Sequence, residues 1–261
     1  MGFIGQEQIH HPLYSPLEKL YIQLFGMPIV GLRIRARNVF SLIPTGRTYS
    51  RILDAGSGPG VFSFELARRF PESHVTGIDL LSEQVSACRR IADAIHATNV
   101  EFREAAIQEL AVSNHYDLIL CVDILEHISD DRSALQQLYE VTAHTGILVL
   151  HVPALHRRYP VWRKALNFDV ASHVRTGYAP ADITHKVEQA GFRIRSSGFT
   201  YGFLETLANN ISYMITRARM ENKTVYALAF PFLNLMSWAG KGARPKKLGA
   251  GVFVVAEKVK P

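Results

Sequence analysis

The chain has 261 residues, 48% hydrophobic and 20% charged, a length that fits one enlarged domain or a domain with appendages and a composition that excludes disordered, collagen-like and coiled-coil chains. Two cysteines, Cys88 and Cys121, are too few for a disulfide scaffold and wrongly spaced for a zinc site, so buried, reduced thiols of a cytoplasmic protein are expected. The formal charge of +6 is uneven: residues 1–47 hold 5 Lys/Arg against 2 Asp/Glu, residues 48–150 hold 7 against 15, and residues 151–261 hold 17 against 6, so an acidic middle suited to a cationic ligand lies between basic flanks suited to an anionic one.

The opening Met1-Gly2-Phe3-Ile4-Gly5-Gln6 reads as neither a secretory leader nor a myristoylation signal. Ser15-Pro16-Leu17-Glu18 is a capping box with proline at the first helical position, and Gly26 stops the helix it starts. A second apolar stretch, Leu32 to Ile43, carries Arg33, Arg35 and Arg37 and closes at Pro44-Thr45-Gly46. From Arg51 onward short apolar runs (52–53, 75–78, 100–102, 118–122, 147–150) alternate with helical segments (61–70, 82–97, 133–141). That alternation predicts βαβ units and a doubly wound, mostly parallel sheet. A helix over Pro180–Ala190, a strand over Phe192–Ser196 and a final strand over Val252–Ala256 complete the α/β body. The chain thus divides into a helical extension (1–47), the body (48–201), an apolar-basic insertion (202–248) and the last strand (249–261). The most apolar piece, Val225 to Gly240, falls short of the roughly 20 residues that span a bilayer, and Pro231 and Asn234 are expected to break it.

The strongest local signal is Ile52-Leu53-Asp54-Ala55-Gly56-Ser57-Gly58-Pro59-Gly60, between a strand and a helix. Glycines let the backbone turn sharply and approach a ligand, and the helix that follows offers free N–H groups. Val61 stands where a dinucleotide fingerprint places its last glycine, and no Lys-Ser/Thr follows as in a P-loop. Asp54 would repel a pyrophosphate but favours a ligand bearing an ammonium group and a sulfonium. These features argue against an NAD-type oxidoreductase. Asp79, at the end of the next strand, is placed to accept hydrogen bonds from both hydroxyls of a ribose; the plainer reading is a helix N-cap.

On these residues, with Tyr116–Ile128 as a fourth-strand segment, the chain resembles a class I S-adenosylmethionine-dependent methyltransferase of the broad small-molecule group, over about residues 48–196 and again at the final strand. The resemblance implies a seven-stranded Rossmann-like sheet with S-adenosylmethionine as cofactor. It places Gly56 and Gly58 beside the methionine moiety, Asp54 at its amino end, Ser57 and Gly60 in the same loop, Asp79 on the ribose and Leu80 on the adenine face. Val122 or Asp123 would floor the pocket. Where many relatives have an adenine-binding Asp, this chain has Ala106, leaving backbone groups of Ala106 and Ile107 to serve adenine.

A general base is sought at the carboxyl ends of the central strands. His151 is the better-placed histidine, whereas His127, in the Leu-Glu-His triplet, reads as packing or cofactor-side. His173-Val174-Arg175-Thr176-Gly177-Tyr178 combines a base, a cation and a phenol; loop anchoring is the equal alternative. No metal is expected. Trp238, Tyr226, Phe230 and Phe232 near Lys241, Arg244, Lys246 and Lys247 suggest a segment lying on an anionic membrane or roofing an apolar pocket, against plain packing on the sheet or on a second subunit of a homodimer. A small, lipophilic or membrane-presented acceptor is the leading expectation. A non-catalytic S-adenosylmethionine-binding module and an RNA-directed methyltransferase using the basic flanks are the alternatives, with nucleic acid disfavoured because the flanking charges mix with long apolar stretches.

Overall fold

The computed structural model describes residues 3–113, 115–159, 163–168, 170, 172–217, 222–245 and 247–259. Two helices come first, α1 (Pro16–Phe25) and α2 (Val30–Phe40). The alternating body follows as β1 (Arg51–Ala55), α3 (Val61–Arg69), β2 (His74–Asp79), α4 (Ser82–Ala94), β3 (Val100–Glu104), β4 (Tyr116–Val122), α5 (Asp131–Val141) and β5 (Thr142–Pro153). A short hairpin of β6 (His156–Arg158) and β7 (Lys164–Leu166), which the sequence reading missed, leads to α6 (Pro180–Gln189) and β8 (Arg193–Thr200). Helices α7 (Phe203–Thr216) and α8 (Lys223–Ala239) precede the last strand, β9 (Gly251–Glu257).

The seven-stranded sheet runs β3-β2-β1-β4-β5-β9-β8, with the pairs from β3 to β5 parallel and β9 antiparallel to both neighbours. The near-continuous apolar runs of β1, β4 and β5 follow from burial on both faces. One face packs on α3 and α4 through Phe62, Phe64, Cys88 and Ile91. The other packs on α5 and α6 through Leu135, Leu138, Ile183 and Val187. Both cysteines are buried and reduced. Strand order reverses between β1 and β4, so a crevice is expected at their carboxyl ends.

The N-terminal extension and the insertion pack together. Val30 and Ile34 of α2 meet Ala208 of α7 and Tyr226, Phe230 and Leu233 of α8 in a third core. The arginines of α2 are spent inside this cap. Arg33 donates to the Met27 and Phe25 carbonyls, Arg35 pairs with Asp123 at 3.2 Å, and Arg37 lies 3.8 Å from Glu205 and 2.8 Å from the Ser237 hydroxyl. Two of these cations thus lie against carboxylates, Asp123 and Glu205, and the third is held by backbone carbonyls.

Pro231 does not break α8, which runs on through it to Ala239. Proline removes the N–H that would bond to the carbonyl four residues back, at Ala227. The Tyr21 hydroxyl takes that carbonyl at 2.6 Å, so the orphaned acceptor is satisfied by α1. Tyr21→Phe is expected to cost about 1–2 kcal/mol in urea unfolding, and less in a Pro231→Ala background, where the helix can supply its own donor. Equal costs in both backgrounds would refute this account. Among the described residues no helix is long and apolar enough to cross a membrane.

Candidate functional site

The glycine loop leaves β1 and enters α3 with Gly56, Gly58 and Gly60 all in left-handed backbone conformations (φ 89°, 50° and 77°). Gly56 and Ser57 donate to the Ile78 carbonyl at 2.9 and 2.7 Å, tying the loop to β2. A β-carbon at Gly56 would fall 2.1 Å from the Ile124 side chain; one at Gly58 would meet nothing within 4 Å. The two glycines thus have different reasons to be there: close packing at Gly56, open approach at Gly58. The Ser57 hydroxyl is buried with no protein partner.

Asp54 lies beneath this loop, 1% exposed, and accepts from the Ser63 hydroxyl at 2.6 Å. Burial, with the nearby Asp79 charge, pushes its carboxyl up to about 6 against the Ser63 hydrogen bond. Asp79 ends β2 with one carboxylate oxygen accepting from Gly58 N–H at 2.8 Å and the other from Leu81 N–H at 2.9 Å. Each oxygen keeps a lone pair for another donor. Leu80 and Leu81 beside it are 68% and 62% exposed, an apolar surface at the lip of the crevice. Ala106 donates its N–H to Glu109 at 3.2 Å, which engages one of the two backbone donors expected there, and the Ile107 side chain is buried.

Asp123, just past β4, has φ 54°, a left-handed conformation that aspartate adopts more readily than most residues with a side chain. Its N–H bonds the His151 carbonyl at 2.9 Å, its Oδ1 lies 2.6 Å from His151 Nδ1, and Arg35 closes the other oxygen. Burial acts to raise the Asp123 carboxyl, but Arg35 and His151 outweigh it and hold it below the ordinary range. His151 Nε2 lies 2.9 Å from the Thr200 hydroxyl, and the ring is 1% exposed. Both ring nitrogens are engaged, so His151 stands as a buried link between β4 and β8. Val122, the last residue of β4, is also buried.

Tyr178 is a latch. Its hydroxyl donates to Asp131 at 2.8 Å and accepts from Arg175 at 2.7 Å, and the ring is 2% exposed. Burial and the Asp131 carboxylate raise the phenol above its ordinary value. The expectation of a phenol facing an acceptor is corrected to the anchoring alternative. Arg175 holds the Leu125, Ile128 and Ser129 carbonyls, pinning residues 173–178 over the turn that follows β4.

That turn carries a group the sequence reading passed over. Glu126 is 1% exposed, and both carboxylate oxygens lack a hydrogen-bond partner. Burial and the Asp123 charge push its carboxyl well above the usual range. His127 is exposed and stacks edge-on against His173, with ring centroids 4.6 Å apart. One ligand atom from each of Glu126, His127 and His173 lies within 4.8 Å of the other two. Only the triplet Leu125-Glu126-His127 hinted at it; the partnership with His173 is tertiary.

Two adjoining clefts of about 450 and 440 Å³ open at the same end of the sheet. They share Arg158, Lys247 and Leu248, and Tyr201, Phe203, Leu155 and Phe199 add apolar walls. On the outer face of the cap, Leu17, Leu20 and Leu24 of α1 and Val225, Leu228, Phe232, Leu235 and Trp238 of α8 are each more than half exposed. Lys241 lies over the Trp238 ring at 4.1 Å. Tyr226 and Phe230, expected on this surface, are core residues instead, and Arg244 is bonded to Asn38 and Ser41. Lys246 lies outside the described residues.

Residues 48–200 match a family model described as methyltransferase domain. Trans-aconitate 2-methyltransferase of Deinococcus radiodurans is 34% identical over 121 residues, 46% of this chain and 44% of that protein. Ubiquinone biosynthesis O-methyltransferase of Acinetobacter baylyi is 30% identical over 93 residues, 35% of this chain and 38% of that protein. The chain thus spans less than half the length of these relatives. The structure of Haemonchus contortus phosphoethanolamine N-methyltransferase 2 in complex with S-adenosyl-L-methionine is similar in fold, with TM-score 0.62 and 15% identity over 98% of this chain and 60% of that one.

Proposed function

The chain belongs to the methyltransferase-domain family, and on that premise we propose that it transfers a methyl group from S-adenosylmethionine to a small, lipophilic acceptor. The observation that carries this reading is the open approach over Gly58 beside the Asp79 carboxylate that ends β2, at the carboxyl end of the sheet. The residues present fit that cofactor: the Ser57 hydroxyl is buried and unpartnered, Asp79 keeps a lone pair on each oxygen, and Leu80 offers an apolar face. When bound, the cofactor supplies a methyl group on a cationic sulfur with a good leaving group.

The chain's part is positioning. Gly56, Gly58 and Gly60 bring backbone against the methionine end, with Asp54 beneath as the matching negative charge. Asp79 holds the ribose hydroxyls, Leu80 and the Ile107 backbone flank adenine, and Val122 and Asp123 floor the pocket. Holding the nucleophile in line with the methyl group can supply about 7–11 kcal/mol in the best cases. His173 is our candidate to act on the acceptor's oxygen; His151 and Tyr178 act as positioning residues through their buried bonds.

The lipophilic acceptor is supported by the apolar walls of the two clefts and by the exposed stripe of α1 and α8 with Lys241 beside it. That stripe suits a peripheral seat on an anionic membrane from which such an acceptor is drawn. Incubation of the full chain with methyl-labelled cofactor and a lipid-soluble extract is expected to label an extractable small molecule. Asp79→Ala removes charge-assisted hydrogen bonds of about 1.5–3 kcal/mol, so cofactor affinity by calorimetry is expected to fall about 10- to 100-fold, with labelling falling alongside. Wild-type affinity in Asp79→Ala, or binding of NAD in place of the cofactor, would overturn the reading.

A further inference from the structure

We propose that Glu126, His127 and His173 form a divalent-cation site, Zn²⁺ first among its ions, that binds an oxygen of the acceptor. A carboxylate with two imidazoles is the donor set of open, catalytic zinc centres, which keep positions for water or substrate. The Glu126 oxygens are the independent sign of a ligand. They are buried and bonded to no protein group, whereas buried carboxylates are ordinarily satisfied. The nearby cations do not supply the partner: Arg35 is bonded to Asp123, and Arg175 to the Leu125, Ile128 and Ser129 carbonyls and to Tyr178.

His127 is oriented for the role. His127 Nδ1 lies 3.0 Å from the Ser172 carbonyl, which can only accept, so the neutral ring has its lone pair on Nε2, and a carbonyl on the far nitrogen is what orients metal-bound imidazoles. The donor atoms, within 4.8 Å of one another, need to close to about 3.3 Å around a metal with bonds near 2.0–2.1 Å, a movement within reach of side-chain rotation for exposed His127. Ile124, which abuts Gly56, puts this turn next to the glycine loop.

The acceptor class then follows, and this part rests on the methyltransferase reading: a hydroxyl with a second oxygen on the neighbouring carbon, able to chelate. Coordinated at the open positions, the hydroxyl becomes more acidic and releases its proton to water. The new O–CH₃ bond forms as the S–CH₃ bond breaks, and the bonding pair stays on sulfur.

The test is calorimetric titration of chelator-treated full-length protein with ZnCl₂, with MnCl₂ and MgCl₂ alongside. One Zn²⁺ per chain is expected, with affinity reduced at least about tenfold in Glu126→Gln, His127→Ala and His173→Ala. His127→Ala changes an exposed side chain and keeps the test open if the buried variant fails to fold. No Zn²⁺ binding, or binding unaltered in the variants that fold, refutes the site. Titrating the same metal-free protein with S-adenosylhomocysteine separates the two readings: cofactor binding without Zn²⁺ binding sinks the metal site alone. With both bound, a catechol taken up only when Zn²⁺ is present supports the chelating acceptor, and uptake independent of Zn²⁺ refutes it.

Discussion

Gly56→Ala is expected to destabilise the protein by about 2–4 kcal/mol in urea unfolding, while Gly58→Ala costs only about 1 kcal/mol. Both positions have positive φ, which penalises any residue with a β-carbon by about 1 kcal/mol. The difference is the neighbour. The new methyl at Gly56 would meet Ile124 at 2.1 and 2.3 Å, so Ile124 must move, and with it the turn from Asp123 to His127. Overpacking of this kind adds about 1–3 kcal/mol. At Gly58 the methyl meets nothing within 4 Å, so the fold is spared and the space for a ligand is filled. Cofactor affinity should therefore fall in Gly58→Ala with stability nearly intact. Gly56→Ala, Ile124→Ala should recover part of the loss that Gly56→Ala causes. Equal stabilities of the two single variants would contradict the packing account.

The features legible in the sequence are those fixed by local chemistry. Three glycines within five residues announce a loop with positive φ, and the carboxylate ending the next strand follows from the same unit, since Gly58 N–H reaches Asp79 directly. The sheet was legible because its strands alternate with amphipathic helices at short range. What escaped depends on pairs distant in the chain. Arg35 reads as a surface cation until β4 brings Asp123 to it. Pro231 reads as a breaker because Tyr21, which takes the carbonyl that the proline orphans, lies 206 residues from that carbonyl's residue, Ala227. Glu126 draws no notice of its own in the Leu-Glu-His triplet, and only the fold shows it buried, without a hydrogen-bond partner for its carboxylate, and close to His173. His151 was placed correctly at a strand end, yet no pattern in the sequence foretold that Thr200 and Asp123 would engage both its nitrogens.

Asp54→Asn is expected to stabilise the ligand-free protein at neutral pH by up to about 3 kcal/mol, and the gain should vanish in acid. The Asp54 carboxyl sits at about 6 in the folded chain and near 3.9 in an unfolded one. A raised carboxyl means that the folded state favours the protonated form. That stabilisation is complete below about pH 4 and is lost as pH rises through 6, after which the buried charge costs about 3 kcal/mol. Asparagine keeps an oxygen for the Ser63 hydroxyl and carries no charge, so its stability has no such slope. Glu7, raised by burial to about 7, and Glu126 titrate upward too, so the readout is the difference between variant and wild type from pH 4 to 8, in which their contributions cancel. A difference independent of pH would show that Asp54 is not held up by burial. Saturating S-adenosylmethionine adds a second arm. If its cationic end meets Asp54, the ligand relieves the buried charge, so the wild type gains more from it than the variant does and the advantage of Asp54→Asn shrinks. An advantage unchanged by the ligand would place the cation elsewhere and leave Asp54 as a support for the glycine loop through Ser63.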